Sequence, residues 1–224
     1  MPLYFGVFIS LFAYLIGMEL KKKFGWPVLN PLLVAIILVI AFLKATGITY
    51  TDYNEGASYI SYFLTPATVC LAIPLYKQLE LLKKNLTAVA TAITAGVIGS
   101  VVSVYVMSMI FRLEHVHYVS LLPKSITTAI GMGISEELGG IVTITVAAII
   151  ITGIIGNMFG DVICRLCGIR HPIATGLAIG TASHAMGTAK AMEIGEIEGA
   201  MSSLSIAVSG LMTVIGATIF YQLY

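Results

Sequence analysis

The sequence predicts an all-α, polytopic membrane protein of about seven transmembrane helices, with an internal repeat and two proline-broken helices. Three observations carry this. Of the 224 residues, 58% are hydrophobic and 10% charged, against about a quarter charged in an ordinary soluble domain, and the mean hydropathy is +0.98. The charges leave uncharged windows at 1–18, 24–43, 56–76, 85–111, 138–160, 171–189 and 199–224. Each is long enough to cross about 30 Å of hydrocarbon, which takes about 20 residues of helix, and without water the backbone there must bond within a helix. Finally, the chain matches itself at a fixed offset of 57 residues.

Taken in order, the first window is followed by Lys21, Lys22 and Lys23, has no basic residues before it and lacks a small-residue cleavage site. It reads as a retained first helix with the lysines cytoplasmic and the N-terminus outside. The polar interval 49–55 reads as an outside loop and 77–84 as an inside one. Segment 121–135 is left with two readings, a full crossing or a re-entrant element; the second returns Arg165 and Arg170 to the inside. Linkers are short throughout, so the chain reads as a single membrane domain, 1–224, with repeat units at about 64–110 and 121–167.

Composition also excludes functions. Twelve Lys and Arg against eleven Asp and Glu give a net charge of +1, which offers no basic field for nucleic acid. Cys70, Cys164 and Cys167 are too few for a disulfide framework, and the Cys164/Cys167 pair has no second pair or nearby histidines to complete a zinc site. No metal or cofactor is expected.

The repeat aligns 64–99 with 121–156 without a gap, and 12 of 36 positions are identical. Pro66/Pro123, Glu80/Glu137, Gly96/Gly153 and Gly99/Gly156 are the matches that an apolar composition does not supply cheaply. Each unit begins with an apolar segment interrupted by proline and continues into a long helix with paired glycines, which let helices approach closely. Corresponding helix breaks in two halves point to a transporter's binding site, because broken helices leave backbone groups facing a cavity.

Three polar clusters are candidates for that site. In the first, Pro66 cannot donate a backbone bond, so a helix is expected to start afresh with Thr65 as its cap. Thr68, one turn in, either presents its hydroxyl or bonds it back to its own helix. The second is Pro123, Lys124, Ser125, Thr127 and Thr128, where a cation and hydroxyls beside a helix N-terminus suit a carboxylate or phosphate; the competing reading is a lysine snorkelling to the headgroups. The third, residues 180–190, holds Ser183, His184, Gly187 and Thr188. A histidine at membrane depth lines a cavity, relays protons or makes an interhelical hydrogen bond. The serines of the last window suit close packing.

Residues 65–77 (TPATVCLAIPLYK), 121–130 (LLPKSITTAI), 180–190 (GTASHAMGTAK) and 199–210 (GAMSSLSIAVSG), in this order, closely resemble the LrgB/CidB family of bacterial membrane proteins over essentially the whole chain. The resemblance implies a multi-pass cell-membrane protein acting as an antiholin-like or holin-like modulator of murein hydrolase activity and autolysis, beside a small LrgA/CidA-type membrane partner. Through relatives that include a fused plastid form, it also implies transport of small carboxylates such as glycolate, glycerate or pyruvate. Ala129 departs from the proline that family members often carry there.

Two functions follow as expectations. One is a carrier, or carrier subunit, for a small monocarboxylate anion. The other is a structural regulator of a pore or of the membrane state, which would form a homo-oligomer and act through autolysis. An enzyme is not expected: Ser183 and His184 are adjacent and would point about 100° apart on a helix, no HExxH is present, and only Asp161 lies near membrane depth.

Overall fold

A computed structural model describes residues 4–26, 29–70 and 72–224. All regular elements among these residues are helices, and they form two compact units, Met1–Cys70 and Leu71–Tyr224.

The first unit holds α1 (Phe5–Phe24), α2 (Pro31–Thr46), α3 (Tyr50–Ser61) and α4 (Leu64–Cys70). α1 puts its three lysines in the last turn, against the negative end of the helix dipole, and ends on Gly25 at φ 66°. α2 starts on Asn30, whose Oδ1 accepts from the N–H groups of Leu32 (2.9 Å) and Leu33 (3.2 Å), and Pro31 takes the first helical position. A Cβ on Gly17 would lie 2.6 Å from the Pro31 carbonyl oxygen, so α1 and α2 meet backbone to backbone.

The interval 49–55 is not a loop. The Thr49 hydroxyl accepts from the Asp52 N–H at 3.2 Å and donates to Asp52 Oδ2 at 2.7 Å, and this local capping starts α3 within a polar stretch. The helix near Pro66 begins two residues earlier, at Leu64, and Pro66 is exposed in the first turn of α4, where its missing N–H costs nothing. Thr65 is not the cap, however. The first bond runs from the Ala67 N–H to the Phe63 carbonyl at 2.9 Å, which places Thr65 inside the helix. The side chains of Thr65 and Thr68 lie outside the described residues.

The second unit holds α5 (Ala72–Lys77), α6 (Leu79–Lys84), α7 (Leu86–Phe111), α8 (His115–Leu121), α9 (Thr128–Glu137), α10 (Val142–Leu166), α11 (Pro172–Ile194) and α12 (Glu196–Tyr221). The expected loop 77–84 is therefore largely helical. Among the described residues α7, α10 and α12 are long and apolar enough to cross a membrane, and α2 is a shorter apolar helix. At 1.5 Å per residue the three are rods of about 38 Å. α7 buries Val89, Ile93, Val97, Val101, Val104 and Ser108, a stripe at helical spacing. It runs parallel to α12: Thr94 meets Met212 at 3.9 Å, Tyr105 meets the Phe220 ring at 6.1 Å, and the Tyr224 hydroxyl donates to the Ser108 carbonyl at 3.1 Å.

Between α7 and α10 the chain forms a re-entrant hairpin. The Ile141 N–H donates to Ser120 Oγ at 2.7 Å, and the buried Thr145 hydroxyl donates to the Ser120 carbonyl at 2.8 Å and shares a 2.7 Å bond with the Ser135 hydroxyl. The ends of α8 and α9 are thus side by side, with 122–127 as the tip. At 7 and 10 residues neither arm can span 30 Å of hydrocarbon, and of the two readings of 121–135 the re-entrant one holds.

The window 171–189 is not one crossing rod either. Gly176 abuts the backbone of Glu198, while Met192 comes within 2.8 Å of a Cβ on Gly199. Residues sixteen apart in a straight helix would be separated by about 24 Å. Likewise a Cβ on Gly187 would lie 2.9 Å from the Ile179 carbonyl oxygen. α11 is therefore a second hairpin folded back at Ser183 (φ −133°, ψ 17°) and His184 (φ 44°, ψ −140°). The left-handed φ is costly for a residue with a Cβ, and small residues on both arms allow the close return.

The two hairpins enter from opposite ends of the bundle. Tyr118 of α8 donates to the Phe220 carbonyl at the end of α12, whereas both arms of α11 flank the start of α12. α10 begins beside the first hairpin's base and runs antiparallel to α7. α7 and α10, the two helices aligned by the 57-residue offset, therefore run in opposite directions.

Candidate functional site

Both hairpin tips stop at mid-height of the long helices. Lys124 and Ser125 meet Ser100, the fifteenth of 26 residues in α7, and Ser183 packs on Gly156, the fifteenth of 25 in α10. Between them lies a cavity of about 670 Å³, lined by Gly96, Gly99, Ser100 and Ser103 of α7, Lys124 and Ser125 of the first tip, Thr152, Gly156 and Gly160 of α10, and Thr181, Ala182 and Ser183 of α11. It is built wholly within the second unit.

Pro123 ends α8 rather than starting a helix. Turn bonds from Lys124 N–H to the Leu121 carbonyl (3.1 Å) and from Ile126 N–H to the Pro123 carbonyl (3.4 Å) carry the chain over the tip, and α9 begins only at Thr128. Thr127 stands in the cap position with no side-chain bond to the helix, and neither Thr127 nor Thr128 lines the cavity. The expected neighbour of Lys124, a helix N-terminus, is replaced by hydroxyls. Its ammonium donates to Ser125 Oγ at 3.0 Å and to Ser100 Oγ at 3.4 Å, and Ser100 donates to Ser125 at 3.0 Å. Among the described residues no carboxylate lies within ion-pairing distance of it. The lysine does not snorkel to a helix end; it stops at mid-height.

Of Ser183, His184, Gly187 and Thr188, Ser183 alone reaches the cavity wall, and its hydroxyl donates to the Ile179 carbonyl at 2.8 Å. His184 is 3% exposed and its Nε2 bonds the Ile149 carbonyl at 3.1 Å. A carbonyl only accepts, so this nitrogen carries a proton, and the ring ties the tip to α10 as an interhelical bond. Thr188 donates to the His184 carbonyl at 3.0 Å and shares a 2.7 Å bond with Ser202, while Gly187 gives room for the returning arm. Ser183 and His184 thus bond separate carbonyls and form no nucleophile and base pair.

Three residues with a part in this arrangement were outside the candidate set. Ser100 holds the first tip. Asn157 donates to the Met186 carbonyl at 2.7 Å, which ties the returning arm just beyond the second tip to α10. Extending the repeat by one residue places Ser100 opposite Asn157, so each long helix follows its glycine pair with a polar residue that holds a tip. The third, Thr181, stood in the same small-residue run as His184 without a signal of its own.

Long apolar helices and two opposed re-entrant hairpins around a central cavity, mostly apolar in its wall, define a multi-pass α-helical membrane protein. The chain belongs to the LrgB-like family, whose profile matches residues 10–223. Proteins named "Antiholin-like protein LrgB" from Bacillus mycoides (strain KBAB4) and Bacillus cereus (strain B4264) are each 44% identical to it over 218 residues, covering 97% of this chain and 95% of the relative. These are names of membrane effectors, not of enzymes. No solved structure matches the chain.

Proposed function

We propose that the protein is a carrier, or the carrier subunit of a complex, for small monocarboxylates of the pyruvate and glycolate class. The observation that carries this reading is Lys124, a cation at mid-height on the cavity wall whose hydrogen-bond partners among the described residues are the serine hydroxyls of Ser100 and Ser125. An ammonium removed from water without a counter-charge is costly, and an entering carboxylate supplies the missing charge. Ser100, Ser125 and Ser183 add hydroxyls of the kind that orient a small anion. Opposed hairpins meeting at a central site also suit alternating access, in which one repeat rocks against the other.

The test is uptake of labelled pyruvate or glycolate into proteoliposomes, with and without an LrgA/CidA-type small partner. Uptake above empty vesicles is expected. Lys124→Met should lower anion affinity by about 10- to 100-fold, the worth of a charge-assisted hydrogen bond, while leaving folded yield intact because the charge it removes is uncompensated. No uptake under either condition would remove the reading.

The names of the relatives favour a second reading, an antiholin-like regulator of murein hydrolase activity and autolysis. It predicts an autolysis phenotype unaffected by Lys124→Met and by substitution of His184. The two readings join if carboxylate flux itself alters the cell's path to lysis.

A further inference from the structure

The central cavity lies to one side of the hairpin tips. From the level of Ser100 and Gly156 it follows α7 back to Ala92 and α10 on to Cys164, two residues before that helix ends, and Ile169 in the turn beyond also lines it. In the other direction its wall stops at Ser103 on α7 and at Thr152 on α10, which leaves about 12 Å and 15 Å of the two rods beyond it. The mouth is therefore at the end where α7 and α12 start and α10 finishes. That end carries Lys77, Lys83, Lys84, Arg165, Arg170 and Lys190, against only Arg112 among the described residues at the other end of this unit. The bias marks the mouth as cytoplasmic.

On the far side of the tips the bundle is filled. Tyr118 of the first hairpin is fully buried, in one core with Val101, Val104 and Leu122. Its ring stacks on that of Tyr224 at 4.5 Å, and Tyr105 stands edge-on to both at 6.2 and 6.3 Å. The Tyr118 hydroxyl donates to the Phe220 carbonyl at 2.8 Å, while that of Tyr224 lies 2.5 Å from the Leu113 carbonyl and 3.1 Å from that of Ser108. These bonds hold the hairpin arm and Tyr224 to the far ends of α12 and α7. Within the same packing Ser108, 1% exposed, has a hydroxyl without a hydrogen-bond partner. A sealed, unpaired hydroxyl favours any arrangement that admits water to it.

We infer that the cavity is entered from the cytoplasm in this state and that Tyr118 and Tyr224 form the gate that closes it to the outside. The seal is made of contacts that part without breaking a helix, namely ring faces and hydroxyl-to-carbonyl bonds that water can replace. The gate rests on the carrier reading above, which calls for a second state open outward; the direction of access in this state depends on no solute.

The experiment is thiol accessibility in membranes. With Cys70, Cys164 and Cys167 replaced by serine, Gly99→Cys puts a single thiol on the cavity wall, at a position where a Cβ meets nothing within 4 Å. A membrane-impermeant methanethiosulfonate is applied to everted and to right-side-out vesicles. With the gate intact, labelling should be about 10- to 1,000-fold faster from the cytoplasmic face, since an outward-open minor state at about 0.1–10% limits the rate from outside. Tyr118→Ala should raise the outside rate by about 10-fold or more, the worth of a ring pair and a hydrogen bond. Tyr118→Phe and Tyr224→Ala, milder changes that serve where Tyr118→Ala does not reach the membrane, should raise it by about 2- to 10-fold. The cytoplasmic rate should not rise with it. Labelling with the gate intact that is equal from both faces, faster from outside or absent from both overturns the direction of access. An outside rate unmoved by the variants, or a rise on both faces alike, overturns the gate. Neither result touches carboxylate uptake by the wild type, so the carrier reading stands or falls on its own assay.

Discussion

Four glycines aligned by the repeat divide three to one in the structure, and this gives a prediction that can be worked through. Gly96, Gly153 and Gly156 each face a side chain of α11, whereas nothing stands within 4 Å of a Cβ on Gly99. In Gly153→Ala the new methyl would lie 2.8 Å from His184 Cε1, 2.9 Å from His184 Nε2 and 2.6 Å from Met186 Sδ. Restoring ordinary contact at about 3.5 Å requires the ring to retreat by about 0.7 Å from α10. The ring is held by its 3.1 Å bond to Ile149, one turn before Gly153 on the same face, so the retreat stretches that bond to about 3.8 Å, beyond a useful hydrogen bond. Overpacking of this kind costs about 1–3 kcal/mol. Gly99→Ala has the same gain in helix propensity without the clash, so the propensity term cancels between the two variants. A difference of about 1–3 kcal/mol corresponds to a Tm gap of about 2–12 °C for a chain of this size. Thermal unfolding of the two variants in one detergent reads it directly. Equal melting temperatures would refute the claim that α11 turns back against Gly153.

Asn157→Leu deprives the Met186 carbonyl of its 2.7 Å donor; amide hydrogen exchange over residues 183–188 should rise, with a loss of about 1–3 kcal/mol in stability. The re-entrant hairpin makes a topological prediction: in a background with Cys70, Cys164 and Cys167 replaced by serine, single cysteines at Glu114 and Glu136 should label from the same side of the membrane and one at Arg170 from the other. Labelling of Glu114 and Glu136 from opposite sides would mean that 121–135 crosses and that the hairpin is wrong.

The uncharged windows locate α1, α2, α7, α10 and α12, because lipid imposes its demands residue by residue and leaves them in the composition. Capping was legible only in part. Pro66 lies in the first turn of a helix that opens at Leu64, so the threonine beside it is inside that helix, and the polar stretch from Thr49 begins one as well, since an Asp three residues after a Thr can start a helix where hydropathy suggests a loop.

The expected pairing of breaks at Pro66 and Pro123 is where sequence reasoning stopped short. In the second unit the partner of the Pro123 tip is the fold at Ser183 and His184, which has no proline and looks on paper like a helix long enough to cross. Its reversal depends on contacts with residues far along the chain, Gly156 on α10 and Ser202 on α12, and no local pattern records those. The same holds for Lys124, whose type and spacing suggested an anion site but whose actual partners, Ser100 and Ser125, come together only when the first tip docks on α7. Composition and hydropathy thus determined that this is a helical membrane protein. The opposite run of α7 and α10, the return of α11 and the depth of the two tips were decided by tertiary packing, because the direction of a rod and the depth of a hairpin are properties of which surfaces fit together and not of any single segment.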